Sequence, residues 1–494
     1  MKNRNFNKNI LNNGNLKKSN VIFALFIFSI FSIFYGKLYH APCDDAYIFY
    51  VYAKNLLDGN GLTYNGTIVW GFTSVLWVFL LSLVGLIGIP IHIGGEILSL
   101  LSGGFALFAT YFLGRSVRLN PFYALLPVLL LSMAGDFAFY ASVGLEQVLF
   151  IALVAISTAL IFFSIQDDSI SVIGIAAIMA LMIMTRPEGM LFFVLLLLMW
   201  SIKSKSVKNP LVCGLLVICF LAPFWVILRI NFGDWLPNTY YAKSNAGLAN
   251  LQHGLDYIVR NLARYSLLLF FILASLFYKI FRKENIKLIF LLIISLIWIL
   301  YIIFQGGDNM VGGRVIIPIL PLIYVFIVYF ASQKNSKSVI LIMLLGVGQI
   351  ISYSLDKSVH RHINNWRKDY NIRKKAGFYL KNNFESDTIV ALNPAGIIPY
   401  YSGFQTIDML GLNDYYIGHN GKRDRSLRFA HQTGDGAYVL SKEPDVILFG
   451  GTLEIRPGHN ISGREIWRSE EFHNNYNRVY WENIGIAYIR KDSQ

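Results

Sequence analysis

Apolar runs of about 14 to 20 residues dominate the first 354 positions, close to the roughly 20 a helix needs to cross a 30 Å hydrocarbon layer. They fall at 21–35, 95–114, 121–137, 147–164, 171–185, 189–202, 210–230, 266–281, 286–304, 315–331 and 338–354. From about Ser354 the pattern turns soluble. Asn365 to Asn382 reads as a helix, and strand-like runs follow at Thr388–Leu392, Gln405–Leu410, Asp445–Phe449 and Ile484–Ile489, with Gly, Asn and Pro between them. The pattern predicts a polytopic α-helical membrane protein of about eleven transmembrane helices plus interfacial helices, followed by a C-terminal soluble α/β domain. The division is a basic leader at 1–20, a membrane domain at 21–354 with a first external loop at 39–71, and the α/β domain at 355–494.

Composition agrees with this reading. Of 494 residues, 55% are hydrophobic and 15% charged, with mean hydropathy +0.50. A soluble domain would be about a quarter charged. The net charge of +14 does not point to nucleic acid, because Lys and Arg cluster in short loops between apolar runs, at Arg115–Arg118, Lys203–Lys208, Lys279–Lys287 and Lys334–Lys337. That is the distribution that fixes membrane orientation. Lys2, Arg4, Lys8, Lys17 and Lys18 put the N-terminus in the cytoplasm, and the first run lacks a small-residue cleavage site, so it reads as an anchor. All basic loops stay inside, and the α/β domain outside, if Phe72 to Ile89 is a surface-lying or re-entrant helix that does not cross. Three cysteines suggest no disulfide framework.

In this topology the unusual polar clusters gather on the outer side. They are Asp44-Asp45, Gly144-Leu145-Glu146, Arg186-Pro187-Glu188, the stretch from Gly233 to Lys243, and Gly306 through Arg314. Carboxylates beside a bilayer are costly and seldom kept without a use. The Asp pair has a plain alternative as the N-cap of a short interfacial helix, Tyr47 to Asp58, whose stripe of Ile48, Tyr52 and Leu56 would lie on the membrane. A free carboxylate here suits transfer of a sugar from a lipid phosphate. The phosphate is already a good leaving group, so one general base that deprotonates the acceptor hydroxyl is enough. Arg186, Lys243 and Arg314 are candidate cations for the phosphate, against membrane snorkelling as the bland reading. Glu146, Glu188, Asn238, Tyr240 and Asp308 are candidate substrate-binding residues, and Glu188 also suits pairing with Arg186. Tyr47, Tyr50, Trp70, Trp77, Trp235 and Tyr240 suit sugar stacking or, more simply, interfacial anchoring. No His/Cys spacing indicates a metal and no cofactor is required, although two adjacent carboxylates offer a weak site for a divalent cation. A phosphate-cradling Gly loop of the nucleotide-binding type is absent.

These residues together resemble a known group. Asp44-Asp45-Ala46-Tyr47-Ile48, Tyr52-Ala53-Lys54-Asn55, Gly59 to Asn65 and Gly71-Phe72-Thr73-Ser74 look like the first-loop signature of GT-C glycosyltransferases. They are most similar to the branch of the mycobacterial terminal arabinofuranosyltransferase. Gly144-Leu145-Glu146, Arg186-Pro187-Glu188-Gly189, Leu236 to Lys243, Gly307-Asp308 with Arg314, and Ile407 to Asp414 extend the resemblance over nearly the whole chain. It implies a polyprenyl-monophosphate sugar donor, inversion at the anomeric centre, Asp44 as the prime candidate base with Asp45 beside it, and an extracytoplasmic site in a bacterial inner membrane. The acceptor would be a cell-surface glycan, lipopolysaccharide or an exported protein such as pilin. Val51 stands where that group often has Arg, and Trp70 where it often has Glu, which leaves arabinofuranose as one candidate sugar only. A secondary transporter and a non-catalytic assembly factor are the rival classes. The chain lacks the paired, interrupted halves usual in transporters.

Overall fold

The computed structural model describes Ile27, Phe31 and residues 42–166, 170–243, 248–262, 264, 286–333, 337–424, 432–451 and 453–493. The basic leader, most of the first apolar run, the crossing expected at 266–281 and most of the loops at 279–287 and 334–337 lie outside the described residues.

The helical part begins with α1 (Asp44–Leu57), α2 (Val75–Leu86), α3 (Ile91–Ser116), α4 (Pro121–Ser132), α5 (Gly135–Tyr140) and α6 (Gln147–Ser164). It continues through α7 (Val172–Thr185), α8 (Gly189–Ser204), α9 (Lys208–Phe232), α10 (Asn238–Lys243), α11 (Leu248–Leu262), α12 (Ile286–Gln305), α13 (Leu320–Ser332) and α14 (Lys337–Leu355). Local chemistry sets many boundaries. Ser74 accepts from Trp77 N, Asn120 from Tyr123 N and Ser171 from Gly174 N, each satisfying a helix-start donor, and Gly233 closes α9 with φ +76°. Glycines along α3 admit its neighbours closely, Gly94 against Val84 of α2, Gly95 against Tyr50 of α1 and Gly103 against Phe31, and α3 also packs along α6.

Among the described residues α3, α6, α9 and α12 are long and apolar enough to cross a membrane, and α2, α4, α7, α8 and α13 are shorter apolar helices. α14 runs into α15 (Lys357–Asn383) through a 57° bend, in which Asp356 accepts from Ser358 N and Val359 N and starts the new helix. The chain thereby turns from an apolar helix into a basic one. The sequence places the start of this helix too late by eight residues, because the Asp356 cap precedes the first apolar contact.

The C-terminal part holds β1 (Ile389–Leu392), α16 (Ile397–Ser402), β2 (Gln405–Asp408), α17 (Tyr415–Asn420), β3 (Lys422–Arg423), β4 (Thr433–Gly434), α18 (Gly436–Ser441) and β5 (Val446–Leu448). α19 (Ile461–Arg468), α20 (Glu470–Asn475), β6 (Tyr476–Trp481) and β7 (Gly485–Arg490) complete it. The five-stranded sheet has the order β2-β1-β5-β7-β6, with β2, β1 and β5 parallel and the last two antiparallel. Leu392 stands level with both Asp408 and Leu448, so the carboxyl ends of the parallel strands finish together. Four strands fall on the expected runs, while β6, polar and largely exposed, carries no apolar alternation to betray it.

One expectation is corrected. α1 does not lie on a membrane surface: Ala46 through Ala53 are all buried, Ile48 and Tyr52 included, with α2 and α3 on one side and α16 on the other.

Candidate functional site

A cleft of about 620 Å³ opens between the helical part and the α/β domain. Asp44, Asp45 and Ile48 of α1, Lys243 of α10, and Asp308 to Val311 with Arg314 line one wall. Arg373 of α15, Asn393 to Ala395 after β1, Gly450-Gly451 after β5 and Gly458 to Asn460 line the other.

The two aspartates are adjacent in sequence and opposite in circumstance. Cys43 is the N-cap of α1, without a side-chain bond, and both acids occupy the first turn, where they favour the helix dipole. Asp44 does cap a helix, but a different one: its carboxylate accepts from Gly396 N at 3.0 Å and Ile397 N at 3.1 Å, at the start of α16. The Arg373 guanidinium lies 3.2 Å from the same carboxylate and also donates to Gly451 O at 2.9 Å. Burial pushes the Asp44 carboxyl up, against the pull of Arg373 and the Ile397 N–H. A Cβ on Gly396 would collide with the Asp44 backbone oxygen, so glycine is required for this approach. The Asp45 carboxylate, half-buried, makes no hydrogen bond or ion pair with the described residues and lines the cleft.

The cations divide similarly. Lys243 lines the cleft with no hydrogen bond or ion pair to the described residues; burial pulls its ammonium down, opposed by the nearby Asp45 charge. Arg314 also lines the cleft, held in a bidentate pair by Asp308, Nε to Oδ2 at 2.7 Å and Nη2 to Oδ1 at 2.8 Å. Arg186 does not line it. Its guanidinium donates to Glu146 Oε1 at 2.8 Å, Gln147 Oε1 at 3.0 Å and Glu188 Oε1 at 2.9 Å, a buried cation set between two carboxylates. Gln147 Nε2 in turn donates to Arg314 O at 2.9 Å, so the Glu146–Arg186–Glu188 cluster braces the Arg314 backbone from behind.

Of the remaining sequence candidates, Asn238 serves the joint between the two parts and Tyr240 does not. Asn238 Nδ2 contacts the carbonyls of Gly411 at 2.8 Å, Asp414 at 2.9 Å and Leu412 at 3.3 Å, and Asn238 N donates to Trp70 O at 2.7 Å. Tyr240 is 56% exposed and outside the cleft. Tyr47, Tyr50, Trp70 and Trp77 are buried in the core, and Trp235 is exposed. Val51 is buried too, and Trp70 stacks on Phe232 at 5.9 Å, so both departures from the first-loop signature are packing residues.

The first-loop signature itself is largely a docking surface. Tyr52 Oη donates to Val69 O and contacts Asn413 Oδ1 at 3.3 Å, Tyr64 Oη donates to Ala395 O at 2.5 Å, and Asn65 Nδ2 donates to Pro399 O and Phe404 O, both at 3.0 Å. A Cβ on Gly71 would collide with Asn413 Oδ1. Sequence reasoning missed Arg373, Asn393 and Trp366 as cleft residues. The Asn393-Pro394-Ala395-Gly396 turn signal was the one clue available to it.

Residues 362–491 match a family described as a domain of unknown function, DUF8728. No curated protein matches the sequence. Among solved structures, ArnT from Cupriavidus metallidurans bound to undecaprenyl phosphate aligns with TM-score 0.59 and 10% identity, over 78% of this chain and 85% of that one. The archaeal oligosaccharyltransferase AglB from Archaeoglobus fulgidus, in complex with an inhibitory peptide and a dolichol-phosphate, aligns with TM-score 0.55 and 9% identity, over 94% and 74%. The fold is of the GT-C type. Its cleft sits where the helical part of that fold meets the C-terminal domain.

Proposed function

We propose that this protein is an inverting membrane glycosyltransferase that moves a sugar from a polyprenyl monophosphate to an acceptor hydroxyl. The observation that carries the reading is the pairing of one uncommitted carboxylate, Asp45, with one uncommitted ammonium, Lys243, in a shared cleft of a GT-C fold. The undecaprenyl phosphate in the ArnT structure and the dolichol-phosphate in the AglB structure support a polyprenyl-phosphate carrier.

In this reading Asp45 takes the proton of the acceptor hydroxyl as its oxygen attacks the anomeric carbon. The bond from that carbon to the phosphate oxygen breaks, and the prenyl phosphate leaves with the electron pair. Lys243 and the Asp308-clamped Arg314 stabilise the phosphate charge that builds up. Asp44 holds α16 and so fixes the backbone that carries Asp45, which makes it a positioning residue and Asp45 the base. This exchanges the roles that the family resemblance implies. Arg186, Glu146 and Glu188 brace Arg314, and the step requires no cofactor, although a divalent cation could sit weakly at the Asp pair. The site faces the extracytoplasmic side of a bacterial inner membrane. Arabinofuranose remains a candidate sugar, and the acceptor classes are surface glycan, lipopolysaccharide and exported protein.

The test compares surface-glycan and pilin masses in cells carrying wild-type, Asp44→Asn and Asp45→Asn proteins at matched membrane levels. Asp45→Asn should reduce transfer by about 10²- to 10⁴-fold, the usual contribution of a general base. Asp44→Asn should reduce it less, because the amide oxygen still accepts one N–H. Full transfer by Asp45→Asn would overturn the assignment.

A further inference from the structure

The cleft wall opposite Asp45 and Lys243 takes no part in the step above. It is nonetheless built like a binding site. β2 lies on one side of β1 and β5 on the other, so the strand order reverses between β1 and β5. In open α/β sheets, ligand crevices form outside the carboxyl ends of the strands at such a reversal. The residues leaving those two ends, Asn393 after β1 and Gly450-Gly451 after β5, line the cleft. Gly450 has φ +70°, and a Cβ there would crowd the Glu454 carboxylate at 2.7 Å.

Asn393 is fixed by its acceptor side. Its Oδ1 accepts from Gly450 N at 3.2 Å and Asn460 Nδ2 at 3.4 Å, while its Nδ2 is buried and makes no hydrogen bond with the described residues. A buried donor without a partner is costly, and a ligand acceptor in the cleft would satisfy it. Nearby, Trp366 packs against Phe139 at 5.6 Å between ring centres and lines the same cleft, as do His459 and Asn460. Arg373, the guanidinium on this wall, is committed to Asp44, Asp369 and Gly451 O. The rest of the wall is a set of amides, two imidazoles (His362 and His459), an indole and the Glu454 carboxylate, able to donate and accept in pairs and to offer an apolar face. That chemistry matches neutral hydroxyls on a ring. Strand addition by a peptide needs a sheet edge, and neither edge strand, β2 or β6, contributes to the cleft.

We propose that this wall is the acceptor subsite and that the acceptor is a neutral saccharide, bound through Asn393, Asn460, His459 and Trp366. The proposal rests on reading the cleft as a glycosyl-transfer site. The purified full-length chain in detergent is tested by saturation-transfer NMR against mannotriose, an arabinofuranose trisaccharide and a Ser/Thr hexapeptide. At least one trisaccharide should bind saturably, and its affinity should fall at least tenfold in Asn393→Ala and in Trp366→Ala, each verified as folded by its Tm. Trp366→Phe, which keeps an aromatic face, should recover part of the loss. Binding unchanged in the folded variants, absence of trisaccharide binding, or hexapeptide binding that the same variants abolish would each overturn the proposal. Wild-type protein is titrated in parallel with undecaprenyl phosphate. Trisaccharide binding through Asn393 without undecaprenyl phosphate binding would sink the donor reading and leave the saccharide subsite standing.

Discussion

At the residue scale the site turns on which charges are already spent. Lys243 has no partner among the described residues, whereas Arg186 has two carboxylates and Arg314 one. Lys243→Gln should therefore weaken donor use more than Arg186→Gln acting on phosphate directly. A charge-assisted hydrogen bond contributes about 1.5–3 kcal/mol, so the expected rise in KM for the lipid donor is roughly 10- to 100-fold, read in a membrane transfer assay. A second residue predicts a pH effect away from the cleft. Asp408 is fully buried and accepts from Leu410 N, Asn413 N and Asn413 Nδ2, yet burial pushes its carboxyl up to about 6 from 3.8. The folded chain thus holds this proton more tightly than the unfolded chain, so the contribution to stability is greatest below about pH 4 and declines as pH rises to about 6. A shift of roughly two units corresponds to about 3 kcal/mol at most. Melting temperature measured from pH 4 to 7 should fall less steeply in Asp408→Asn than in wild type; parallel curves would refute the role of Asp408.

Among elements, the decisive contact is between α1 with its following loop and the start of α16 and the β2–α17 turn. Asn238 closes it with one amide spread over three carbonyls, and Gly71 and Gly396 admit the opposing chain where no Cβ fits. Asn238→Ala removes this donor from the Gly411 and Leu412 carbonyls, while Asp414 O keeps Gly418 N, a loss of about 1–3 kcal/mol. The expected result is a lower first unfolding transition and easier proteolysis between α14 and the sheet, with α3 and α6 unaffected. This joint also shows where sequence reading stops. Helices and four strands follow from periodicity, and the Asp pair stands out by its cost beside a bilayer. Which aspartate stays free depends on Gly396, Ile397 and Arg373, more than 320 residues away along the chain. Tyr64, Asn65 and Asn413 look like loop chemistry for the same reason: their partners lie 331, 334 and 361 residues away. Trp70 was legible as a departure from a pattern and as a stacking or anchoring candidate; its buried stacking on Phe232 is a packing role that neither reading gave.

For the whole molecule, the proposed reaction requires the cleft and the α/β domain to share one side of the membrane with a lipid-borne donor. A transporter would need a route through the helices, whereas this cleft opens at their junction with the α/β domain. The proposed topology, read from the charge pattern, has that junction outside and Lys203–Lys208 inside. Both statements are open to a labelling experiment. Cys43 and Cys213 are buried and Cys219 is exposed, so Cys219→Ser gives a background of low reactivity. Tyr480, 71% exposed on β6, and Ser206, exposed between α8 and α9, report on the two sides. In spheroplasts, a membrane-impermeant maleimide should label Tyr480→Cys directly and Ser206→Cys only after lysis. If the order reverses, the cleft opens to the cytoplasm and an extracytoplasmic acceptor cannot reach Asp45. If both sites label before lysis, the helical part does not separate them, and the crossings read from the apolar runs are miscounted between residues 206 and 480.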